Sequence, residues 1–132
     1  MAFKYALLVL AAAPAIWIGP AHAADSRFYN SLKQLDSATR LEQVCDIEAM
    51  RQIDRDSNPY HPDRAKSDVL SPPRHAGDTV KGTGGAFRSK GKWYAYSFTC
   101  KGSPDHYKVL SFSYKIGAPI PENKWASYGL WR

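Results

Sequence analysis

Lys92-Trp-Tyr-Ala-Tyr-Ser-Phe-Thr-Cys100 alternates with a period of two. Tyr94, Tyr96, Phe98 and Cys100 fall on one side, and Trp93, Ala95, Ser97 and Thr99 on the other. That is the pattern of a strand with one face turned to a core. Upstream, Asp78–Lys81 and Ala86–Ser89 flank Gly82-Thr83-Gly84-Gly85, which reads as one strand broken by a bulge. Lys90-Gly91 is then a tight turn. Downstream, Gly102 and Pro104 mark a turn within Lys101–Asp105. His106–Lys115 alternates again, with Leu110, Phe112 and Tyr114 opposite Val109, Ser111 and Ser113. Strands joined by short turns make an antiparallel meander.

The meander needs a partner layer, and the preceding segment supplies one. Asp36 or Ser37 can cap a helix start, because their side-chain oxygens accept backbone N–H groups left without partners. From Ala38 to Arg55, Leu41, Val44, Cys45, Ala49 and Ile53 recur near the helical period and form an apolar stripe. Glu42, Asp46, Glu48, Arg51, Gln52 and Asp54 fill the other side. Ser26–Gln34 reads as a short helical lead-in with Phe28, Leu32 and Leu35 on one side. Pro59, Pro62, Pro72 and Pro73 exclude helix from Asp54–Gly77, where Ala65–Leu70 suits an irregular edge strand. After a loop at Ile116–Pro121, Pro121-Glu122-Asn123 starts one or two helical turns running through Trp125 to Tyr128. The fold class is α+β: an N-terminal amphipathic helix packs on a three- to four-stranded antiparallel meander, and a short C-terminal helix follows. The face offered to the helix carries Tyr94, Tyr96, Phe98, Leu110 and Phe112.

The first residues have another role. Met1–Lys4 carry one positive charge, Tyr5–Gly19 are almost wholly apolar, and Ala21-His22-Ala23 is a small-x-small site. Residues 1–23 therefore read as a signal peptide cleaved after Ala23, leaving residues 24–132 as one small domain in the periplasm, secreted or held at the envelope. Pro14 and the short apolar run fall below the roughly 20 residues a spanning helix needs, so no transmembrane segment is expected after cleavage. Cys45 and Cys100 are the two cysteines. In an oxidising compartment such a pair bridges, and both fall on the surfaces that face each other across the core. Two free thiols, or a catalytic cysteine outside any CxxC pattern, is the alternative.

Three stretches resemble a known family. They are Thr39-Arg-Leu-Glu-Gln-Val-Cys-Asp-Ile-Glu-Ala-Met50, Gly85-Ala-Phe-Arg-Ser-Lys-Gly-Lys-Trp-Tyr94, and Val109-Leu-Ser-Phe-Ser-Tyr-Lys-Ile-Gly117 with Ile120-Pro121 and Trp125. They are similar to the uncharacterised family catalogued as domain of unknown function 930, small exported proteins of alphaproteobacteria. The resemblance runs from about Leu35 to Trp131, with Cys, Trp and Pro positions in the same order. It implies a Gram-negative envelope setting and paired cysteines. It brings no assigned activity and no catalytic residues.

The chain carries a net charge of +6, spread along its length, with one local cluster at Arg88-Ser-Lys90-Gly-Lys92. A basic exported protein suits anionic glycans, lipid head groups or nucleic acid, or simply stays soluble. His61, His75 and His106 lie in separate loops, unlike an HExxH pair on one helix turn, so neither metal nor another cofactor is expected. Glu42, Asp46 and Glu48 read as a solvated helix face better than as an acid/base pair. There is no G-x-S-x-G, and no Lys-Ser/Thr follows Gly82–Gly85 as in a phosphate loop. Tyr60, His61, Arg64, Arg88, Lys90 and Trp93 form the candidate ligand patch, aromatic and basic. Trp93 has two readings: an exposed ring in that patch, or a satellite core under the Pro-rich segment. The leading function is a monomeric, non-catalytic binding or envelope-integrity module for an anionic envelope glycan or an envelope protein, with no nucleic acid. The alternatives are a small envelope hydrolase acting on cell-wall or glycan material, and an inhibitor-like protein presenting a rigid Tyr60–Pro73 loop.

Overall fold

Helix α2, Ser37–Arg55, starts where Asp36 caps it. The Asp36 carboxylate accepts the backbone N–H of Thr39 at 3.0 Å and its hydroxyl at 2.7 Å, and these bonds hold the carboxyl below its ordinary range. The structure is a computed structural model that describes residues 12–14 and 20–132, so the expected leader falls mostly outside the described residues. The stripe of α2 is buried as expected, at Leu41, Val44, Cys45, Ala49 and Ile53. Asp46, expected on the solvated side, is buried with it. Helix α1, Pro20–Lys33, precedes α2 and buries Leu32, while Phe28 stays exposed. Arg40 ties the pieces together by donating to the carbonyls of Leu32, Leu35 and Asp105.

The sheet is built on three long antiparallel strands: β3, Thr79–Ser89; β4, Lys92–Gly102; and β5, Val109–Pro119. Lys90 and Gly91 join β3 to β4 with φ of 51° and 75°, the left-handed pair that a two-residue hairpin requires. These three lie side by side in the order β3-β4-β5. The register of β3 shifts between Gly82 and Gly85, the expected bulge. This divides the outer edge of β3 in two. Strand β1, Pro62–Lys66, pairs with one half (Ala65 opposite Phe87), and β2, Arg74–Ala76, pairs with the other (His75 opposite Val80). The edge strand thus begins at Pro62 rather than Ala65, and a second short strand joins it. Between them the Gly84 carbonyl accepts the N–H groups of Val69 and Leu70 at 3.0 and 2.8 Å. A Cβ on Gly84 would sit 2.3 Å from the Ser71 backbone nitrogen, so only glycine permits this approach.

Helix α2 lies on the face carrying Phe87, Tyr96, Phe98 and Cys100. The Cys45–Cys100 disulfide staples helix to sheet with the Cα atoms 6.1 Å apart, as the facing surfaces require. Leu110 departs from its expected place on this face and is 61% exposed. Cys100 pairs with Phe112, but a register shift beside Lys101 then sets Val109 opposite Gly102. The bulge reverses the alternation, so Val109 packs on the core and Leu110 turns out.

The opposite face holds a second, smaller core. Trp93 is 0% exposed, which corrects its placement in an exposed patch. Its cover is chiefly the C-terminal segment: Ile120, Trp125 and Leu130 close over Trp93 and Ala86. Val69, from the Pro-rich stretch, adds to the margin. The expected C-terminal helix is two single 3₁₀ turns, Glu122–Lys124 and Ala126–Tyr128. Gly129, at φ 67°, then turns the chain so that the Leu130 N–H reaches the Trp125 carbonyl at 2.8 Å. The Trp93 indole N–H donates to the Trp131 carbonyl at 2.7 Å.

Candidate ligand-binding face

Charge is segregated between the two layers. Strands β3, β4 and β5 carry Lys81, Arg88, Lys92, Lys101 and Lys115 and no carboxylate. Helix α2 mixes Glu42, Asp46, Glu48 and Asp54 with Arg40, Arg51 and Arg55. Of the strand cations, Lys81, Arg88, Lys101 and Lys115 alternate onto the face turned away from α2, which is therefore the cationic side.

At the end closed by the C-terminal segment, Arg88 stands opposite both Trp93 and Arg64 in the ladder. Its Nε and Nη2 donate to the two oxygens of Asp63 at 2.9 and 2.8 Å, a two-point pair that holds the Asp63 carboxyl below its usual range. The guanidinium lies 5.8 Å from the centre of the Trp131 ring and 6.0 Å from that of Trp93. Lys66 Nζ lies 5.6 Å from the centre of the Trp131 ring. Trp131 itself is 46% exposed. A half-open ring close to an ammonium group and to the Asp63-paired guanidinium offers stacking and positive charge at one point.

The expected patch is only partly assembled. Arg88 and Arg64 share this face, with Arg64 donating to the Asp63 carbonyl at 2.7 Å. Lys90 sits exposed in the hairpin turn and borders a hollow of about 420 Å³ with Pro119, Ile120, Trp125 and Arg132. Tyr60 packs on the helix side instead, 5.4 Å from Phe87 and 4.7 Å from Tyr94 between ring centres. His61 pairs with Asp54 at 2.8 Å. Tyr60 and His61 thus leave the patch because the chain crosses the rim of the sheet as it enters β1. Trp131 and Lys66 take their place. Lys66 was open to inference, two residues from Arg64 on one strand, whereas nothing local marks the path of Trp131.

A separate cleft of about 210 Å³ opens beside α2, lined by Glu42, Gln43, Asp46, Ala65, Lys66, Ser67 and Asp68. The Ser67 hydroxyl donates to Asp46, and Glu42 pairs with His75 at 3.0 Å. Burial pushes the Asp46 carboxyl up to about 7, and the charge of Glu42 adds to this, against the Ser67 bond and Lys66. The folded protein therefore holds this proton more tightly than the unfolded chain, whose carboxyl keeps its ordinary 3.8. Its stabilising contribution is full below about pH 4 and is lost as pH rises to about 7. Asp36, Asp63 and Asp105 are held low and act only below that window. Unfolding free energy is expected to fall by an amount on the order of 2–4 kcal/mol across it. Asp46→Asn should flatten the fall, as urea midpoints at several pH values would show.

His106 is a clamp, bonded to the Ser37 carbonyl at 2.7 Å and to Asp78 at 2.9 Å. Among the described residues, no group of three His, Cys, Asp or Glu side chains is placed to hold a metal ion. No helix among them is long and apolar enough to cross a membrane.

These features define a disulfide-stapled helix-on-sheet domain with a cationic outer face. The family model described as Domain of Unknown Function (DUF930) matches residues 32–130, and the chain belongs to that family. The matched span takes in both cysteines and both cores. No curated protein and no solved structure matches the chain.

Proposed function

We propose that this protein is an exported envelope module that binds an anionic glycan without transforming it. The observation that carries the reading is the half-exposed Trp131 ring with Lys66 and Arg88 5.6 and 5.8 Å from its centre. A sugar ring stacks on the indole while the cations meet its acidic groups. The leader-like pattern of residues 1–23 and the Cys45–Cys100 bridge support an oxidising, periplasmic setting. The hydrolase reading has less support, because one oxygen each of Asp46 and Glu42 is bonded to Ser67 and His75 and no catalytic motif accompanies them. The inhibitor reading needs a protruding loop, whereas Pro62–Lys66 is paired into the sheet.

Trp131→Ala and Lys66→Ala are expected to weaken retention on heparin, used as a generic anionic glycan. Each should cost roughly 10-fold in affinity, about 1.4 kcal/mol. Retention should also fall steeply with salt, since exposed charges are screened beyond about 8 Å at physiological ionic strength. The Trp131 side chain lies outside the buried core, so thermal stability should change little. Unaltered retention of both variants would refute the reading.

A further inference from the structure

The outer face stays open beyond the C-terminal cover. There Lys81, Thr83, Ser97, Thr99, Ser113 and Lys115 border a hollow of about 300 Å³. The ladder explains the grouping. Lys81 pairs with Thr99, Thr99 with Ser113, and Ser97 with Lys115, so two ammonium groups flank a row of hydroxyls. A second hollow of about 250 Å³ adjoins it, sharing Lys81 and Thr83 and adding Pro72 and Arg74. Among the described residues, no carboxylate borders either hollow. None of the ion pairs among the described residues uses Arg74, Lys81 or Lys115.

One pairing here opposes stability. Arg74 stands directly across from Lys81 in the β2–β3 ladder, and like charges in that position repel. An anion seated between them relieves the repulsion. Together the hollows reach the size of small-ligand sites, about 300–1,000 Å³, well beyond what a bare ion fills.

We propose that this groove binds the phosphate of a phosphorylated saccharide. The proposal rests on the glycan-binding reading of the same face and names the class of its ligand. Lysines are compact point charges, and serine and threonine hydroxyls donate in separate directions, which suits a tetrahedral, doubly charged group. A planar carboxylate, with two oxygens in one plane, leaves part of such a donor set unused, whereas Arg74 can meet a phosphate with two parallel bonds. The same hydroxyls also accept hydrogen bonds from sugar hydroxyls, which gives the groove a use beyond the anion.

The test is an amide NMR titration of the mature chain with four probes: glucose 1-phosphate, glucuronate, glucose and inorganic phosphate. Glucose 1-phosphate should shift the Ser97, Thr99 and Ser113 signals saturably. Glucuronate and inorganic phosphate should bind at least 10-fold more weakly, and glucose should leave the groove unshifted. The double variant Lys81→Ala/Lys115→Ala should weaken glucose 1-phosphate at least 10-fold while the Trp131 indole signal stays in place. Equal binding of glucuronate would overturn the phosphate assignment, and equal binding of inorganic phosphate would overturn the saccharide. A response that survives the double variant, or no response at all, would overturn the site. Shifts confined to Trp131 would overturn the groove and leave the reading of the covered end standing.

Discussion

Trp93→Ala is expected to lower the unfolding free energy by about 3–5 kcal/mol, the range for removing a large buried aromatic side chain. Trp93 is fully buried and central to the second core, where Ile120, Trp125 and Leu130 meet the sheet. Its loss leaves a cavity under a segment with little regular structure of its own. It also strands the Trp131 carbonyl, which accepts the indole N–H. Urea unfolding of the variant measures the loss directly. Limited proteolysis within 120–131 should become faster, because that segment is anchored chiefly through this ring. A loss below about 1 kcal/mol would mean that the C-terminal cover is held by something else. Glycan retention should fall as well, since Trp131 is positioned through the same anchor.

Breaking the disulfide is expected to cost a similar amount, about 2–5 kcal/mol. Cys45 and Cys100 are 55 residues apart in sequence, and the chain-entropy model gives about 4 kcal/mol for a loop of that length. Both cysteines are buried where α2 meets β4. The protein purified without reductant should show a mass two hydrogens below the reduced value. Cys45→Ser, or a strong reductant, should lower the urea midpoint. Full thiol labelling of the native protein without denaturant would contradict the bridge.

The parts of the fold legible in the sequence are those set by local chemistry. The α2 stripe repeats with the helical period, β4 alternates without interruption, and Lys90-Gly91 has the residues a tight hairpin needs. The disulfide was legible because each cysteine fell on a patterned surface. What the sequence hid depends on distant partners. Leu110 and Val109 exchange places because of a bulge that the plain alternation around Phe112 does not reveal. Asp46 is buried where Ser67, in the bend after β1, supplies its hydrogen bond. Trp93 is covered by residues 120–131, which carry no period of their own. The candidate patch failed in part for the same reason. Sequence proximity placed Tyr60 and His61 near Arg64, but the crossing into β1 sends them to the other side of the sheet.

The bulge beside Leu110 also bears on how the chain behaves in a crowded compartment. Strand β5 is the free edge of the sheet, bonded only to β4, and such an edge invites a strand from a neighbouring molecule. An exposed leucine there would add adhesion. The irregular register next to it, the exposed Lys115 along the strand and Pro119 at its end all interrupt the straight row of hydrogen-bonding groups that a second chain would need. The edge is thus left open to water yet poorly shaped for templated self-association.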